Sequence, residues 1–155
     1  MQTQLVINGD PVGKQRIRAS FKQKRLYTPD KTIDYENYVK YCYHGHPHFE
    51  NKPVAVYMKV YLAIPSSTSK KKREQMENQE IYPVKKPDID NVVKSVLDGL
   101  NKVAYEDDKQ VVRLMVEKYY DSKPRVEIQI VEAKVKRLLF KRLWGLIFNK
   151  KWWEV

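Results

Sequence analysis

Nineteen acidic residues are spread along this chain, and most read as ordinary surface charge. Two groups stand apart. Asp88-Ile89-Asp90-Asn91 lies between a basic extended segment and an amphipathic stretch, and Glu106-Asp107-Asp108 sits just before a strand-like run. In extended backbone Asp88 and Asp90 point to one face, because side chains alternate with a period of two. A helix and a short turn then lead back to Asp108, which is expected to bring a third carboxylate to the pair. Three crowded carboxylates repel one another unless a cation sits among them, and a hard divalent ion such as Mg²⁺ meets that need. Lys94, four residues beyond Asp90 and so on the same helix face, either pairs with these acids or neutralises charge developing on a phosphate. A capped helix at Asp90, the ion pairs Asp90–Lys94 and Lys94–Asp98, and a turn at Asp107-Asp108 account for the same residues without a metal.

These acids need a frame. Residues 3–8 (TQLVIN) read as a strand closed by the turn residues Asn8-Gly9-Asp10-Pro11. Lys14 to Tyr27 reads as a basic strand and loop. Thr28-Pro29-Asp30 opens a helix over about 31–43, with Ile33, Val39 and Cys42 on one face. Val54, Val56, Met58, Val60 and Leu62 alternate strictly, which is the clearest strand pattern in the chain. Ser66 to Ser69 cap a short helix beginning at Lys70. From Asn91, the residues Val92, Val93, Val96, Leu97, Leu100 and Val103 form a helical apolar stripe. Alternation returns over 110–120, and Pro124 opens a last strand with Val126, Ile128 and Ile130 on one face. The order predicts a single α+β domain over 1–132, a small mixed or antiparallel sheet with helices packed on it.

Charge narrows the choice of partner. The chain has 155 residues and a net charge of +11, with an isoelectric point near 9.6, which points to a polyanion. Lys14, Arg16 and Arg18, together with Lys70, Lys71, Lys72 and Arg73, form two basic segments suited to phosphates. Residues 133–155 hold seven basic residues, one acid and all three tryptophans, and read as a basic amphipathic C-terminal helix. Such a helix suits packing on the protein, contact with the polyanion or an anionic membrane surface. The lone Cys42 excludes an internal disulfide framework. His44, His46 and His48 follow no closed zinc-site spacing. Neither a signal peptide nor an apolar run of about 18 residues is visible, so a soluble cytoplasmic protein without a membrane partner is expected.

The string KPDIDNVVKSVLDGLNKVAYEDDKQVV resembles the core of the RusA family of Holliday junction resolvases, in the form seen in phages and prophages. The upstream PVGKQRIRASFKQKRLYTPDKTIDYENYV and IPSSTSKKKRE, and the downstream KYYDSKPRVEIQI, extend the resemblance from about residue 4 to 131. It implies a RusA-like fold and a Mg²⁺-dependent homodimeric endonuclease, with Mn²⁺ as a substitute ion, that nicks four-way DNA junctions symmetrically. It implies Asp88, Asp90 and Asp108 as metal ligands and Lys94 as the essential lysine, while Asp98 and Asp107 occupy motif positions without being ligands. Other branched DNA, such as flaps and forks, suits the same site. A DNA-binding module without catalysis is the reading from another class.

Overall fold

The alternating residues Val54, Val56, Met58, Val60 and Leu62 need cover on one side, and they set the architecture. In the computed structural model, which describes residues 1–20 and 24–134, all five are buried on strand β4 (Val54–Ala63). The main sheet has four strands in the order β1 (Gln2–Asn8), β6 (Arg125–Glu132), β4 and β5 (Val111–Asp121). β4 runs parallel to β5 and antiparallel to β6, and β6 runs antiparallel to β1. The register sets Val56 against Ile130, Met58 against Ile128 and Val60 against Val126, with Leu5 and Ile7 completing the rows. A one-residue slip would turn this apolar set to solvent, so burial specifies the register.

A parallel pair cannot be closed by a hairpin and needs a crossover. The chain from β4 to β5 therefore carries α2 (Lys70–Glu77) and α3 (Ile89–Leu100). α3 lays Val92, Val93, Val96 and Leu100 on the buried face of the sheet, beside α1 (Asp30–Tyr43). A short hairpin of β2 (Arg18–Ser20) and β3 (Arg25–Tyr27) forms a separate two-stranded unit. This is the α+β domain that the periodicity predicts.

Three local expectations change. The buried face of α1 is Thr32, Tyr35, Val39 and Tyr43, whereas Ile33 is exposed and Cys42 half-buried. Two tyrosine rings offer more area to the core than Ile33. The Tyr43 hydroxyl donates to the Pro47 carbonyl at 2.6 Å, and burial pushes its pKa up to about 12. α3 begins at Ile89 rather than Asn91, which places Asp90 in its first turn. β5 is the edge strand, and over 112–115 it buries neither alternating face. The expected C-terminal helix lies, apart from Ala133 and Lys134, outside the described residues.

The helices meet at a glycine. A Cβ added to Gly99 would stand 2.7 Å from Val39 Cβ and 2.9 Å from the Glu36 carbonyl oxygen. The second neighbour is backbone and cannot rotate away. Gly99→Ala is therefore expected to destabilise the domain by about 1–3 kcal/mol through overpacking, although alanine is the better helix former by up to ~1 kcal/mol. Urea denaturation of the two proteins measures the difference.

Candidate functional site

The segment after β1 is pinned to the start of α3. The Lys14 backbone N–H donates to the Asn91 carbonyl at 2.8 Å. Gly13 lies so close that an added Cβ would be 3.1 Å from Asn91 Cβ and 3.3 Å from Pro87 Cβ. The Lys14 ammonium ion-pairs with Asp98 on α3 and, at 3.3 Å, with Glu36 on α1. Burial pulls the Lys14 pKa down, but the bonds and charges of Asp98 and Glu36 outweigh it and hold the group above its usual value. Lys14 was expected to hold phosphate. It lines the cleft and pairs with two carboxylates of its own chain.

Beside this clamp opens a cleft of about 460 Å³, lined by residues 11–15 with Lys31, Lys86, Pro87, Asp88 and Asn91. Asp88 is the N-cap of α3 in extended backbone, yet its side chain makes no capping hydrogen bond. An aspartate at an N-cap ordinarily spends an oxygen on the helix amides. Here the carboxylate is exposed and uncommitted among the described residues. Asp90 follows in the first turn, and Lys94 Nζ lies 3.8 Å from its Oδ2, both groups being open to solvent. Such an exposed pair contributes little stability and leaves both charges available.

The other acidic group divides in the same way. Asp107 accepts the Lys109 backbone N–H at 3.0 Å, and Gln110 Oε1 accepts from the backbone of Glu106 and Asp107. This caps a 3₁₀ turn over Asp108–Gln110, and the Lys109 amide draws the Asp107 pKa down. Asp107 thus shapes the turn, as Asp98 holds Lys14, and Asp108 is left exposed.

Asp108 does not join Asp88 and Asp90 within one chain. The pair stands at the N-terminal end of α3, and Asp108 follows the loop from its C-terminal end. Twelve helical residues span about 18 Å. β5 then runs back along the helix, and it is Lys118 that reaches the first end, donating to the carbonyls of Lys85 at 3.0 Å and Pro87 at 3.2 Å. Among the described residues no three His, Cys, Asp or Glu side chains are grouped to hold a metal ion.

Arg16 and Arg18 are exposed at the base of the β2–β3 hairpin. Lys70, Lys71 and Lys72 are exposed in the first turn of α2, and Arg73 is half-buried. Cations at a helix N-terminus oppose the dipole, so these lysines do not serve helix stability. Lys31 and Lys86 line the cleft and were not singled out in the sequence; the signal available was the position of Lys86, two residues before Asp88. Two of the three histidines have structural partners. His46 Nδ1 and Thr3 Oγ1 are 2.6 Å apart, and His48 Nδ1 accepts the Glu50 amide at 3.0 Å.

A family model described as "Endodeoxyribonuclease RusA" matches residues 8–131, which include β4, β5, most of β6, the cleft and both acidic groups. The chain belongs to the RusA family of endodeoxyribonucleases. It is 39% identical over 133 residues to "Uncharacterized protein YqaN" of Bacillus subtilis (strain 168), covering 82% of this chain and 94% of that protein. Over 53 residues it is 40% identical to "Crossover junction endodeoxyribonuclease rusA" of Lactococcus phage r1t, covering 34% of this chain and 40% of the phage protein. No described helix is long and apolar enough to cross a membrane.

In this RusA-family chain the Lys14 clamp has a pH signature. Lys14→Met leaves Asp98 and Glu36 facing each other without a cation, at an expected cost of about 1–3 kcal/mol. The Lys14 pKa is raised above 10.5, so its contribution is fully present below that pH and is lost as pH rises through the folded value. The stability gap between wild type and Lys14→Met, measured by chemical denaturation, is expected to stay level from pH 7 to 10 and to narrow above it.

Proposed function

We propose that this protein is a Mg²⁺-dependent homodimeric endonuclease that resolves four-way DNA junctions by paired symmetric nicks, acting in recombination and repair in the cytoplasm. The carrying observation is the uncommitted Asp88 carboxylate beside Asp90 and Lys94, at a cleft flanked by Lys31 and Lys86 in a RusA-family fold. The similarity to a phage crossover junction endodeoxyribonuclease favours a junction as substrate.

Exposed carboxylate oxygens suit a hard cation, and Mn²⁺ is expected to replace Mg²⁺. Asp88 and Asp90 supply two of the three carboxylates of such a site. Since Asp108 lies at the far end of α3, the third ligand is the partner's Asp108, and each site of the dimer is then shared between two copies. A divalent ion held there supplies Lewis-acid polarisation of the scissile phosphate and an acidified water. Lys94, one turn from Asp90, places a positive charge where the phosphate becomes more negative in the transition state. Lys31 and Lys86 hold neighbouring phosphates at the cleft wall, and Arg16, Arg18 and Lys70–Lys72 extend the electrostatic track. A C2 dimer presents two equivalent sites, as two matched cuts require. Residues 133–155 are read as a separate basic extension that adds DNA contact. The same residues suit flaps and forks as a second substrate class.

The decisive assay incubates the protein with a four-way junction, a flap and a linear duplex, each with Mg²⁺ and with EDTA. Metal-dependent cleavage of the junction is expected, and cleavage confined to flaps overturns the substrate. Asp88→Asn, Asp90→Asn and Asp108→Asn each abolish cleavage while junction binding persists. Mixing Asp88→Asn with Asp108→Asn then separates the two geometries. A shared site leaves one intact site in each mixed dimer and restores nicking of one strand, whereas sites confined to single chains restore nothing.

Lys94→Ala is expected to lower kcat at least 100-fold with little change in junction Kd. Single-turnover kinetics beside a gel-shift titration make the distinction. Weaker, salt-sensitive binding at an unchanged rate would make Lys94 a phosphate contact only.

A further inference from the structure

An edge strand exposes unpaired backbone donors and acceptors, and proteins normally blunt it with charge, bulges, short length or a cover. β5 is 11 residues long and, among the described residues, pairs only with β4. Its C-terminal part is covered. Tyr82 stacks on Tyr119 on one face of the sheet at 5.7 Å, and Lys85 Nζ lies 5.3 Å from the ring of Tyr120 on the other, so the chain crosses the edge there. Among the described residues none gives 111–117 such cover. Val112, Leu114 and Met115 are 61%, 44% and 56% exposed. Among the described residues neither Arg113 nor Glu117 forms an ion pair.

We propose that this free edge is the dimer interface, occupied by β5 of a second copy in antiparallel register about a twofold axis at Met115. The inference rests on the homodimer reading above and names its surface. Across antiparallel strands, facing residues share a side of the sheet, so centring on Met115 sets Arg113 against the partner's Glu117, twice by symmetry. Leu114 meets the partner's Val116. Shifting the centre to Leu114 would set Arg113 against the partner's Met115, and centring on Val116 would set it against the partner's Tyr119. Only the Met115 register matches opposite charges, and it joins two four-stranded sheets into one continuous sheet.

The same register supplies what one protomer lacks. Val112 comes opposite the partner's Lys118, whose ammonium holds the carbonyl of Pro87, next to Asp88. Asp108 precedes Val112 by four residues and so extends towards the N-terminal end of the partner's α3. Within its own chain that end is a helix length away.

The test uses the full chain. Sedimentation equilibrium compares wild type with Arg113→Glu, Glu117→Arg and the double variant. Each single change sets two like-charge pairs across the axis and is expected to raise the dimer Kd at least tenfold. The double variant restores opposite pairs and is expected to return within about threefold of wild type. Circular dichroism checks that these exposed substitutions leave the fold intact. In a Cys42→Ser background, Met115→Cys is expected to form a crosslinked dimer on mild oxidation, since facing residues bring their Cα atoms to about 4.5–5.5 Å. A wild-type dimer with unaffected single variants, an unrescued double variant or no crosslink overturns the β5 interface while the homodimer stands. A wild-type monomer, free and on a four-way junction, overturns the homodimer reading and this surface with it.

Discussion

One ammonium group holds the working end of this protein together. Lys14 sits between Asp98 on α3 and Glu36 on α1, so the segment after β1, both helices and the cleft wall share a single electrostatic contact. The Lys14 amide on Asn91 and the close approach of Gly13 to Pro87 fix the same segment to the start of α3. Gly99 lets α1 and α3 come near enough for the clamp to reach both sides. Without that approach, Asp88 would keep its place in the sequence and lose its wall.

The distribution of partners among the acids carries the functional argument. Asp98 and Asp107 are spent on structure, one on Lys14 and one on a turn. Among the described residues Asp88 and Asp108 remain uncommitted, each next to a spent neighbour or at an uncapped helix start. This division is physically sensible, because a carboxylate that must bind a cation cannot also be satisfied internally. It also explains why a single protomer looks incomplete. Its free carboxylates occupy two ends of one helix, an arrangement that suits a molecule working in pairs.

Much of this was legible in the sequence because burial writes a period. The alternation of β4 and β6 and the stripe on α3 were read correctly, since each element buries one face against the same core. The face of α1 was misjudged because tyrosines can serve core or surface, and only packing decides that Tyr35 and Tyr43 go in while Tyr38 and Tyr41 stay out. The role of Lys14 was equally hidden. Its partners lie 22 and 84 residues away, and a basic run looks the same whether its first lysine faces solvent or carboxylates. The distance from Asp90 to Asp108 was beyond reach for a similar reason. Spacing states how far apart residues are along the chain, but not which end of a helix the returning strand will meet.

The exposed stretch of β5 has a consequence for how the chain behaves before it is fully assembled. Val111 to Val116 is rich in β-branched and apolar residues on an open edge, the composition that seeds intermolecular strand stacking. Arg113 is the lone charge within those six residues. A charge in such a window acts as a gatekeeper, because stacking identical strands in register would pile guanidinium on guanidinium. The residue that invites one antiparallel neighbour therefore also penalises an unlimited parallel stack, and solubility and specificity rest on the same side chain.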